Sequence, residues 1–141
     1  MDKIYKLKEI KLIGDHTDLI YCLIQLNDKR LASCSKDRTI KIFNPSYSYN
    51  CDITINENNA IITINQLANN DLISSSKDLS MNIYSITATT YKLIFTIDST
   101  GYEKPICKID SISNGFAQHV QIKSLLNYGA KLHIKQLLLR K

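Results

Sequence analysis

Sliding the chain 41 residues along itself lays residues 20–43 onto residues 61–84 without a gap. Nine of those 24 positions are identical: Ile20/Ile61, Gln25/Gln66, Leu26/Leu67, Leu31/Leu72, Ser33/Ser74, Ser35/Ser76, Lys36/Lys77, Asp37/Asp78 and Ile42/Ile83. Thr39 pairs with Ser80 and Phe43 with Tyr84, so chemical type persists where identity stops. A third copy begins at Ile106, where PICKIDSISNGFA follows AIITINQLANNDLI with one loop residue fewer. A chain that repeats at this period builds its core by stacking like units, each burying a face that it cannot bury alone.

Each copy reads as short strands separated by turns. Residues 20–26 are rich in Ile, Leu and Tyr and are broken by Asn27-Asp28-Lys29. Residues 31–35 form the next short run, and Lys36-Asp37-Arg38 turns the chain. Residues 39–43 alternate Thr, Ile, Lys, Ile and Phe, the period of a half-buried strand. Pro45 ends that strand, and a fourth is expected around residues 52–55. Four antiparallel strands in about 40 residues is the arithmetic of a propeller blade.

The residues of the first copy, GDHTDLIYCLIQLNDKRLASCSKDRTIKIF, resemble a WD-repeat. They hold a Gly-His element, an L-A-S-x-S-x-D turn, then T-I-K-I and an aromatic. The second copy, ISSSKDLSMNIY, keeps the Ser, Asp and aromatic slots but has Glu57 where the first has His16. The resemblance covers residues 4–117 and implies an all-β partial propeller, with blades at about 4–55 and 56–97 and an incomplete one at 98–117. It implies a hydrogen-bonded network of His16, Ser33, Asp37 and the Phe43 slot, where Phe43 lacks the indole N–H of the family's usual Trp. The corresponding residues of the second blade are Ser74, Asp78 and Tyr84, and weaker anchoring is expected there. It also implies a non-enzymatic protein-interaction scaffold. Its partner-facing residues on the top surface would be Leu19, Tyr21 and Lys36 in the first copy and Ala60, Ile62 and Lys77 in the second.

Catalytic alternatives lack their parts. His16 has Asp15 beside it and Ser33 and Ser35 downstream, but no G-x-S-x-G elbow exists to present a nucleophile. Neither G-x-x-x-x-G-K nor G-x-G-x-x-G occurs, so no phosphate loop is expected. Cys22, Cys34, Cys51 and Cys107 form no C-x-x-C and read as free thiols of a cytosolic protein, not as a metal site or disulfide framework. No cofactor, metal or small-molecule substrate is expected. The apolar runs are only a few residues long, and the first residues lack the apolar core of a secretory signal.

The net charge of +5 is misleading until it is located. All 13 acidic residues lie at or before Asp110, where they are matched by 13 basic ones. The last 24 residues carry Lys123, Lys131, Lys135, Arg140 and Lys141 and no acid. A basic stripe suited to nucleic acid is therefore absent from the repeats. Residues 118–141 read as a basic, Leu-rich tail, expected to be helical from Ile122, Leu125, Leu126, Leu132 and residues 137–139. A second reading of the tail comes from its codons. Shifted by one nucleotide, they allow Ser-Ala-Cys-Ser-Asp-Lys-Ile-Ile-Ile-Lys-Leu-Trp, a WD-like continuation. On that reading the tail is out of frame and the chain is a fragment of a longer propeller, or a truncated product without independent function. A third function class is a tail that docks on RNA or anionic lipid. Open blade edges are expected to drive self-association.

Overall fold

The computed structural model describes residues 14–98, 108–113, 118–123 and 136–138. Strands β1 (Ile20–Gln25), β2 (Leu31–Ser35), β3 (Thr39–Asn44) and β4 (Asn50–Asn56) form one antiparallel sheet in sequence order. Strands β5 (Ile61–Gln66), β6 (Leu72–Ser76), β7 (Ser80–Ile86) and β8 (Tyr91–Asp98) form a second sheet of the same order. The equivalence extends to irregularities. Register slips occur between Ile20 and Cys22 and again between Ile61 and Thr63, then between Ile42 and Phe43 and between Ile83 and Tyr84.

Turn chemistry repeats as well. Leu26 O accepts from Lys29 N, Ser35 O from Arg38 N, Leu67 O from Asn70 N and Ser76 O from Leu79 N. In each hairpin that last residue has a positive φ, between 70° and 76°. This is a three-residue loop ending in a left-handed residue, which gives the strands their twist-compatible return. Between β3 and β4, Asn44 caps a short 3-10 turn at Pro45–Tyr47 by accepting from Ser46 N.

The core lies between the sheets. Ala32, Cys34, Ile40, Ile42, Ile53 and Ile55 of the first sheet cluster with Ile61, Ile64, Leu72 and Tyr84 of the second. A second cluster joins Leu67, Ile73, Met81 and Ile83 to Ile109. Ile109 belongs to β9 (Lys108–Ser113), which pairs with β10 (Gln118–Lys123), itself paired with β11 (Gln136–Leu138). Asn65 Nδ2 donates to Ile109 O (2.7 Å), tying this third sheet to the second.

The third sheet corrects the expected tail. Residues 118–123 and 136–138 are strands, not helix, and the third unit extends past residue 117. Locally, His119-Val120-Gln121-Ile122-Lys123 alternates polar and apolar residues, which suits a strand. With β9 offering its hydrogen-bonding edge, pairing prevails over helix formation. The expected helical residues 124–135 and 139–141, Cys107, and the start of the first blade at residues 4–13 lie outside the described residues.

Candidate functional site

The β2–β3 turn of the first sheet gathers the polar side chains. Its carboxylate, on Asp37, accepts from Thr39 N (2.9 Å) and Thr39 Oγ1 (2.6 Å) through Oδ1. Through Oδ2 it accepts from Thr17 N (3.1 Å) and pairs with His16 Nδ1 (2.8 Å). The other ring nitrogen, Nε2, lies 2.6 Å from Ser33 Oγ. Both side chains of the His16–Asp37 pair are almost wholly buried. Burial raises the Asp37 pKa, but donation from Thr39, His16 and Thr17 outweighs it, leaving the carboxyl well below its usual range. Phe43 is buried and brings no donor to this network.

The second blade arranges the equivalent slots differently. Asp78 is exposed and accepts from Ser80, at N (3.0 Å) and Oγ (2.6 Å), so it repeats the Thr39 half of the turn. Glu57 receives the hydroxyls of Ser74 and of Tyr84, the latter at 2.9 Å. Of the three residues expected in the second blade, Ser74 and Tyr84 are joined through Glu57, and Asp78 takes bonds from Ser80 instead. A carboxylate offers only acceptors, so it suits two hydroxyls but cannot replace the imidazole between Ser74 and Asp78. The signal for this was present in the sequence, since a Tyr in the aromatic slot carries the donor that Phe43 lacks.

Ser35 and Ser76 repeat a further contact that the sequence reading did not assign. Their hydroxyls donate to Asp18 O and Ala60 O, both at 3.2 Å, and so clamp the start of each inner strand. Lys36 N donates to Leu19 O, and Lys77 N to Ala60 O, both at 2.8 Å. This brings the expected partner-facing positions together at one end of the blades.

At that end Leu19, Tyr21 and Lys36 are exposed, with Lys36 Nζ 3.6 Å from Asp18 Oδ2. In the second blade Lys77 is exposed and Ile62 half-buried, whereas Ala60 is buried. Ala60 is therefore removed from the set of partner-facing side chains. Asp37, His16 and Ser33 stand in the order of an acid, a base and a hydroxyl, but away from solvent. Ser33 Oγ is buried, and its partner His16 is itself held by Asp37 inside the sheet.

The WD40 β-propeller domain of Doa1 superposes with a TM-score of 0.63 at 26% identity, over 76% of this chain and 34% of that one. The two four-stranded sheets match the blades of a partial WD40 β-propeller. The chain thus spans about a third of the length of that solved WD40 chain. No family model and no curated protein matches the sequence. In the WD40 frame the His16–Asp37–Ser33 cluster is a brace inside a blade, and the exposed residues beside it lie at the end of the blades formed by the β2–β3 and β6–β7 turns. A WD40 propeller is typically a non-enzymatic scaffold. Among the described residues, no helix is long and apolar enough to cross a membrane.

Proposed function

We propose that this chain is a non-enzymatic protein-binding scaffold whose partner docks across Leu19, Tyr21 and Lys36 of the first blade and Ile62 and Lys77 of the second. The observation that carries the reading is the exposure of Leu19 and Tyr21 beside the Lys36–Asp18 pair. An apolar and aromatic centre with charges at its rim is the mixture that protein interfaces use. The turn that presents it is held by Asp37, so the surface is rigid before a partner arrives.

The test is to identify partners by crosslinking, purify one, and measure its affinity for the chain directly. Leu19→Ser with Tyr21→Ala should weaken that affinity at least tenfold with the β-sheet circular dichroism unchanged. Substituting Tyr47, an exposed aromatic on the turn between β3 and β4, should leave it unchanged. Equal affinity of the double variant and the parent refutes this surface. Binding that instead falls steeply with salt and is lost on removing residues 118–141 supports the basic-tail reading.

A further inference from the structure

Cys22 and Cys34 sit directly opposite each other on β1 and β2, as paired residues of the antiparallel ladder. Directly opposed residues on one sheet face have Cα atoms about 4.5–5.5 Å apart, within the range that a disulfide spans. Both lie at the seam between the blades, where Cys34 is buried in the shared core and Cys22 is half-buried at its margin. Cys22 Sγ is 3.7 Å from Ile64 O and 3.9 Å from Thr63 Oγ1 of the second blade.

The fold itself does not call for sulfur at these positions. The equivalents in the second blade are Thr63 and Ser75, paired in the same register. The thiols also differ from each other. The facing Cys34 thiol, with help from Ile64 and Thr63 and against burial, lowers the Cys22 pKa below the usual thiol range. The facing Cys22, together with burial, pushes the Cys34 thiol well up. A more acidic, half-buried thiol opposite a less acidic, buried one is the arrangement of an attacking and a resolving cysteine.

We propose that Cys22 and Cys34 form an oxidisable dithiol in which a hydroperoxide oxidises Cys22 and Cys34 resolves the product as a cross-strand disulfide. The Cys22 thiolate attacks the terminal oxygen of the hydroperoxide. The O–O bond breaks, the departing alkoxide takes a proton from solvent, and Cys22 is left as a sulfenic acid. The Cys34 sulfur then attacks Cys22 Sγ, an S–S bond replaces the S–O bond, and hydroxide leaves as water with the Cys34 proton. Two thiols are oxidised and one hydroperoxide is reduced to an alcohol and water. The reaction places its covalent link at the joint between the two blades.

The experiment exposes the full chain to hydrogen peroxide, quenches in acid, alkylates the remaining thiols and maps tryptic peptides. Cleavage after Lys11, Lys29, Arg30 and Lys36 puts Cys22 and Cys34 on different peptides, so their disulfide appears as a linked pair. The expected result is joint loss of both thiols, about tenfold faster than loss of Cys51, reversed by dithiothreitol. Cys34→Ser should stop the reaction at a sulfenic acid on Cys22 that dimedone traps, and Cys22→Thr should protect Cys34. Each variant installs the residue that the second blade carries at the same register. Loss of Cys22 no faster than Cys51, disulfides only between chains, or no dimedone adduct in Cys34→Ser each overturns the proposal.

Discussion

At the scale of single residues the first blade hangs on a carboxylate more than on its histidine. Asp37 satisfies four donors: two on Thr39, one on Thr17 and one on His16. Removing it leaves several of these unpaired in a nearly buried turn, at about 1–3 kcal/mol for each buried one. Asp37→Ala should therefore lower the urea midpoint further than His16→Ala; equal or reversed shifts would show that the turn is held otherwise. The pH dependence follows from the direction of the Asp37 shift. A carboxyl whose folded pKa is depressed adds stability above its unfolded pKa, about 3.9, and that stability is lost as pH falls through the folded value. Between pH 7 and acid, the Asp37→Asn variant should accordingly lose less stability than the parent, measured by urea melts at a series of pH values.

At the scale of hairpins and strands, six described non-glycine residues lie in the left-handed region, and Lys29, Arg38, Asn70 and Leu79 are the ones that close the three-residue loops. A side chain there costs about 1–2 kcal/mol relative to a residue without Cβ. Arg38 is exposed, so Arg38→Gly releases that strain with little packing to lose, although glycine also loosens the unfolded chain. The net should be a gain of a few tenths to about 1 kcal/mol in a urea melt, and a loss would contradict the loop geometry. Tyr84 gives a second test. Burial first, and then the Glu57 charge, push its phenol pKa up, so its neutral form contributes stability that is lost as pH rises beyond about 10. In a spectrophotometric titration one of the eight tyrosines should stay protonated past that pH until the sheet melts, and Tyr84→Phe should remove that late step. These elements also show what the sequence made legible. Strand positions and turn residues follow from a period of 41 and from residue type, and the His16-Ser33-Asp37 triplet follows from the resemblance to a WD-repeat. The link from Glu57 to Tyr84 is legible only in its donor, the hydroxyl that Phe43 lacks; its acceptor lies 27 positions away, where Glu57 replaces the histidine of the first copy. The strand at 118–123 was obscured by the Leu-rich run after it, which favours helix when no pairing edge is considered.

At the scale of the whole molecule, the two blades carry the same apolar positions with opposite fates. Ile61 is 0% exposed and Ile64 2%, while their counterparts Ile20 and Leu23 are 52% and 61% exposed. The difference is the neighbour: Ile61 and Ile64 pack on the first blade, and nothing described packs on Ile20 and Leu23. The outer strands mirror this. Ile53 opposite Ile42 is 3% exposed, whereas Phe95 opposite Ile83 is 55% exposed, with Leu93 and Ile94 beside it. An apolar face on the first blade shaped to receive another blade, and an uncovered outer strand on the second, favour contact between copies. The isolated chain should thus associate, and Ile20→Ser with Leu23→Ser should shift it toward monomer while keeping its β-sheet circular dichroism. Ile61→Ser should unfold it instead, since that side chain is already spent on the joint between blades. Size-exclusion with light scattering, alongside a urea melt followed by tyrosine fluorescence, distinguishes these outcomes. A monodisperse monomer with one sharp two-state transition would mean that the exposed faces are tolerated and that these blades stand alone as a domain.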